Sequence, residues 1–175
     1  MNKRGNNKKA QQVFGMSFGV IFSIILIVFI LAVAIIAITH FLDLKKCAQI
    51  SMFKEDIQTN VDKAWNSDKF TDPGNVPYSL PSNLDYVCFA NLSNPFRGED
   101  AERDIYSDIM LYEFSKGNMF LYPIEKSCDT PFANIKHLDI NQMTESKNPY
   151  CIPVKKGKIT IKINKEFNEG LVKLS

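Results

Sequence analysis

The side chains able to do covalent chemistry in this sequence are few. Cys88 and His137 could supply a thiol nucleophile and its base, the pairing on which cysteine catalysis rests. Structural thiols or a disulfide explain the same residues without catalysis, because Cys88 is one of four cysteines with Cys47, Cys128 and Cys151. Four cysteines allow three pairings, and their spacing does not choose among them. His40 and His137 are the two histidines, too few for an ordinary zinc cluster. Between Gly98 and Asp108 the chain packs five carboxylates (Glu99, Asp100, Glu102, Asp104, Asp108). They lack the alternating spacing and central glycine of a calcium loop, so a solvated loop or short helix is expected. No phosphate-cradling glycine loop, nucleophile elbow or metalloprotease motif occurs. The expectation is a protein without catalytic, cofactor-binding or metal-binding residues.

The elements that would position these residues begin with a membrane segment. Val20–Ile38 is nineteen residues without a charge, and Ser23 is its only polar side chain. As a helix it rises about 28 Å, close to the roughly 30 Å of bilayer hydrocarbon. A cleaved secretory signal would be shorter, and the apolar run continues past the Ala32-Val33-Ala34 triplet that could serve as its exit. A core helix of so small a domain could not bury an apolar surface on every side. Within this segment Gly15, Gly19 and Ser23 recur every four residues, a small-residue ridge of the kind that lets helices approach closely in lipid.

Composition outside the segment is ordinary. The 21 basic and 19 acidic residues leave a net charge of +2, and no basic stripe interleaved with aromatics suggests a nucleic-acid partner. Lys3, Arg4, Lys8 and Lys9 precede the span without an acid, against Lys45, Lys46 and Lys54 after it. That bias predicts a cytoplasmic N-terminus. Two features agree with an extracytoplasmic C-terminal part: all four cysteines follow the span, and so does the one N-x-S/T sequon, at Asn91. Residues 53–115 carry twelve acids against five bases, and residues 155–175 six lysines against two acids. Opposed patches of this kind could steer copies together or be solvated faces.

After the span, Cys47, Ile50, Phe53, Ile57, Val61, Ala64 and Trp65 fall at helical steps of three and four. Pro and Gly are absent from Val20 to Asp72, so span and amphipathic stretch are expected to form one helix. Turn chemistry follows at Asn66–Asp68 and Thr71–Gly74. Beyond Pro73 the period becomes two. Strands are expected at Asp85–Ala90, Ile109–Phe114, Met119–Tyr122, Asn134–Ile140, Lys158–Lys165 and Leu171–Leu174, with a hairpin turn at Ser115–Asn118. The fold class is therefore α+β: a long N-terminal helix, transmembrane then amphipathic, packed on a small antiparallel sheet. Its organisation reads as a basic leader over 1–12, a transmembrane helix over 13–44, an amphipathic continuation over 45–72 and a β-rich extracytoplasmic domain over 73–175.

A basic leader, an apolar helix running into an amphipathic one, and a small β-rich domain together resemble type IV pilins and pilin-like proteins. Lys8-Lys9-Ala10 followed by Gln11 is similar to the processing site of archaeal members, cut before the apolar stretch. The resemblance implies cleavage between Ala10 and Gln11, and a mature helix packing against copies of itself or other filament subunits. Bacterial members carry a Glu near the start of the mature helix, and Gln11–Ser17 contains none. Two non-catalytic functions follow: a pilin-like structural or interaction subunit in the cell membrane, or an anchored accessory or binding module of a larger membrane complex that does not polymerise. A secreted enzyme using Cys88 and His137 is the third.

Overall fold

The computed structural model describes residues 18–175. The expected leader, its Ala10–Gln11 cleavage site and Gly15 lie outside the described residues. The described residues fall into two compact units, one up to Leu44 and the other Lys45–Ser175. Helix α1, Phe18–Trp65, contributes to both. In the first unit every residue from Gly19 to Leu44 is exposed. The hydroxyls at Ser23 and Thr39 bond back to the carbonyls of Gly19 (2.7 Å) and Ile36 (2.9 Å). Both hydroxyls are thus satisfied within the helix itself.

The second unit is built on the apolar stripe of α1. Ile50, Phe53, Ile57, Val61 and Ala64 are buried and all fall on one face of the helix. The helix ends at Trp65, and Phe70–Asp72 is already a strand, β1. The helix stops at the turn expected at Asn66–Asp68, so the range 45–72 holds the end of α1, that turn and β1. Three antiparallel sheets replace the single one expected. The largest comprises β3 (Tyr86–Phe89), β4 (Met119–Tyr122), β5 (Phe132–Ala133) and β6 (Tyr150–Pro153), in the order β5-β4-β3-β6. β2 (Tyr78–Ser79) pairs with β7 (Lys158–Ile159), and β8 (Ile163–Lys165) lies between β1 and β9 (Lys173–Leu174).

The four-stranded sheet is covered on both faces. Val87, Phe89, Met119 and Leu121 join the stripe of α1 in the main core. The alternate positions Cys88, Ala90 and Phe120 pack with Ile105 and Ile109 of a second helix, α2 (Asp100–Met110). This helix corrects the strand expected at Ile109–Phe114. Ile105 and Ile109, four apart, form its buried face, and a capping box between Glu99 and Glu102 fixes its start. A short 3₁₀ turn at Glu113–Ser115 then occupies part of the expected hairpin turn.

One further strand expectation fails and one holds in part. The segment Asn134–Ile140 makes only an isolated bridge, Leu138 to Val172, because His137 adopts a left-handed backbone (φ 65°) that an extended strand cannot contain. Lys158–Lys165 keeps its alternation, with Ile159, Ile161 and Ile163 all buried. It changes partner midway, from β2 to β1 and β9, and so breaks into two strands.

The connection from β6 to β7 contains a two-residue turn, Lys156-Gly157, both with positive φ (52° and 70°). Lys155 and Lys158 exchange backbone hydrogen bonds of 2.8 and 3.0 Å across it. This is the hairpin turn whose twist matches that of the strands. At Gly157 a Cβ would lie 2.8 Å from the Leu80 carbonyl oxygen. Gly157→Ala is therefore expected to lower the stability of the second unit by about 1–3 kcal/mol, read as a lower midpoint in urea. An unchanged midpoint would show that this turn does not hold the β2–β7 pair.

Candidate functional site

The apolar part of α1 is the first functional element. It is long and apolar enough to cross a membrane, and none of its most apolar window is buried. That surface is compatible with a membrane anchor. Gly19 and Ser23 lie on it, and a Cβ added at Gly19 would meet nothing within 4 Å.

The cysteines form the second. Cys47 is bonded to Cys128, with Cα atoms 5.8 Å apart, and Cys88 to Cys151. The second bridge joins residues directly opposite each other on β3 and β6. Among the described residues no cysteine is free. Two closed disulfides suggest an oxidising, extracytoplasmic setting for the second unit. They also consume the Cys88 thiol, so no Cys88–His137 nucleophile and base exist in this state.

His137 is instead stacked on Trp65, ring centroids 3.9 Å apart and planes 14° from parallel. Its Nε2 lies 3.9 Å from Oδ1 of Asp62. That carboxylate accepts from the Gln58 amide at 2.8 Å, and Gln58 in turn accepts from the Lys136 backbone N–H at 2.9 Å. The imidazole is thus part of the seam holding the end of α1 to residues 136–138. Beside it, the nearly buried Lys165 donates to the carbonyls of Trp65 and Ser67, both at 2.7 Å. It satisfies acceptors that a helix end leaves open. Sequence reasoning missed this role, since an alternating strand places Lys165 with the isoleucines only by its parity.

Lys54 plays the corresponding part at the other end of the stripe. Its ammonium donates to the Thr130 carbonyl and hydroxyl and, at 3.0 Å, to the Phe132 carbonyl. Burial lowers its pKa from the usual lysine value. Along α1 from Gln49 to Asn60 an open groove of about 510 Å³ separates the helix from residues 72–79. Met52, Asp56 and Asn60 line one wall, and Asp72, Val76 and Tyr78 the other. Asn60 donates to the Tyr78 hydroxyl at 2.7 Å, and burial raises the pKa of that phenol.

The five carboxylates of residues 98–108 belong to the start and exposed side of α2. Lys147 sits 3.5 Å from both Glu99 and Glu102, and Arg103 lies 3.1 Å from Asp100. Asn91 of the sequon occupies a turn: its side-chain oxygen accepts from the Ser93 N–H (3.0 Å), and its amide donates to Asn141 (2.7 Å). A fully buried Asn148 ties this turn down by donating to the carbonyls of Asn91, Asn94 and Pro95. Among the described residues no group of three His, Cys, Asp or Glu side chains is placed to hold a metal ion. Compared with models of protein families, with curated proteins and with solved structures, the chain matches none.

Proposed function

We propose that this protein is a non-catalytic, single-pass surface protein of pilin-like type, with its N-terminus in the cytoplasm and residues 45–175 outside. In this reading it acts as a structural or interaction subunit, processed between Ala10 and Gln11 and meeting neighbours in the membrane along the ridge that includes Gly19 and Ser23. The observation that carries the anchor is the charge-free helix surface over Val20–Ile38, which no other part of the described chain covers. The two disulfides support the outside placement. The pilin-like reading rests on the Lys8-Lys9-Ala10-Gln11 leader and on the unbroken α1.

The lack of a Glu in Gln11–Ser17 favours a second reading, an anchored accessory module that never polymerises. N-terminal sequencing of protein from native membranes separates the two. A first residue of Gln11 is the expected result, and Met1 would favour the plain anchor. Resistance to carbonate extraction is expected in both cases. Release into the soluble fraction would end both.

A further inference from the structure

The sequon Asn91-Leu92-Ser93 sits in the turn that follows β3, inside the second unit. The turn is held by groups other than the side chains of Asn91 and Ser93. The Asn94 N–H donates to the Asn91 carbonyl at 3.1 Å. The buried Asn148 side chain accepts from the Asn91 N–H at 3.1 Å and donates to the carbonyls of Asn91, Asn94 and Pro95. Ala90, just before the sequon, is buried, and Leu92 packs on the same apolar cluster.

The two side chains that define the sequon are left at the surface. Ser93 is exposed, and its hydroxyl makes no hydrogen bond among the described residues. Asn91 is half-buried, but the bonds of its side chain are surface bonds. Its Oδ1 accepts from the Ser93 N–H at 3.0 Å, and its Nδ2 donates to the exposed Asn141 at 2.7 Å. The first of these, an Asx turn, fixes which way the amide faces. Nδ2 carries two hydrogens. One serves Asn141, and the other has no acceptor among the described residues. A substituent on Nδ2 can replace that second hydrogen without removing any core contact. Asn148 is the contrasting case: it is fully buried, its amide is committed to three carbonyls, and Tyr150 stands where a sequon needs Ser or Thr.

We infer that Asn91 carries an N-linked glycan. This rests on the outside placement of residues 45–175 proposed above, which the two disulfides support separately from the sequon. The donor is a lipid-linked oligosaccharide, joined through its anomeric carbon to a phosphate or pyrophosphate and presented by a membrane transferase. The bond from Nδ2 to the anomeric carbon forms, and the bond from that carbon to the phosphate oxygen breaks. The oxygen leaves with the electron pair, and one Nδ2 proton passes to a base of the transferase. The remaining proton keeps the bond to Asn141. Residues 91–97 and 141–148 form one surface, joined by the Arg97 bond to the Glu145 carbonyl (3.0 Å) and the Arg97–Asn148 bridge. A glycan at Asn91 keeps that surface in solvent, so contacts between copies fall on other faces of the unit.

The test uses full-length protein from its native membranes, with free thiols blocked before reduction. The tryptic peptide Phe70–Arg97 is read by mass spectrometry. The expected result is a peptide heavier by whole sugar residues, with the added mass on Asn91 and removed by anhydrous acid deglycosylation. In the same cells, Ser93→Ala is expected to lose the added mass. Ser93→Thr, which keeps a hydroxyl at that position, is expected to retain it. The measurement on unaltered protein stands whether or not either variant folds. Unmodified Asn91 in protein whose four cysteines are all bonded overturns the glycan and leaves the outside placement standing. Unmodified Asn91 together with blocked free thiols overturns both. Sugar that survives in Ser93→Ala lies on another residue and overturns Asn91 as its site.

Discussion

Phe53→Ala is expected to cost the second unit about 3–5 kcal/mol, the largest loss from any single truncation on the helix face. Phe53 is 1% exposed and sits in the buried stripe between Ile50 and Ile57. Its ring meets Tyr78 edge to face, centroids 5.7 Å apart. Truncation removes the transfer energy of the ring and leaves a cavity between a helix and strands that cannot both close in, since Asn60 and Lys54 hold them by hydrogen bonds. Met52, the preceding residue, is 63% exposed and points into the groove. Met52→Ala should therefore change stability by less than about 0.5 kcal/mol. Urea unfolding of both variants in the same detergent, followed by the single Trp65, makes the comparison. Equal losses would mean that the stripe is not what joins α1 to the sheet.

Removing the Cys47–Cys128 bridge, by Cys47→Ala with Cys128→Ala, is expected to cost about 4 kcal/mol. The bridge spans a sequence separation of 81, and a loop that long gives the unfolded chain much freedom once it is opened. Cys88–Cys151, with a separation of 63, should contribute nearly as much by the same reasoning. The two differ in what else they hold. β3 and β6 are paired through four residues each without their bridge, whereas Cys128 sits between a 3₁₀ turn and β5 with no strand partner of its own. Loss of the first bridge should therefore also speed proteolysis within residues 123–131, and loss of the second should not. Limited proteolysis with product mapping checks this, and identical cleavage in both variants would count against it.

How much of this was legible depends on how local each signal is. The charge-free run from Val20 to Ile38 and the stripe from Cys47 to Ala64 carry their own period, so the helix could be read from neighbouring residues. Tyr86–Phe89 and Met119–Tyr122 were legible for the same reason. The division into three sheets was not, because β2, β5, β7 and β9 are two residues long and exist only through their partners. Helix α2 was hidden by its apolar end: Ile109 to Phe114 looks extended until Ile105 and the capping box are weighed with it. The disulfide pairing is a matter of register, Cys88 opposite Cys151, and spacing alone carries no trace of it. The roles of Lys165, Asn148 and His137 depend on backbone groups far away in sequence, to which composition is blind.

The bridge from Cys47 to Cys128 also decides how the second unit bears tension. A pull on residues after Cys128 reaches Cys47 through a covalent bond. The turns of α1 between Cys47 and Trp65 lie inside the closed ring and are bypassed. Within residues 47–128 the load is delivered to Cys47, a point just past the apolar segment, rather than along the helix. Ile159, Ile161, Ile163, Val172 and Leu174 of the core lie beyond that ring, so strands β7 to β9 carry a C-terminal load before the ring does.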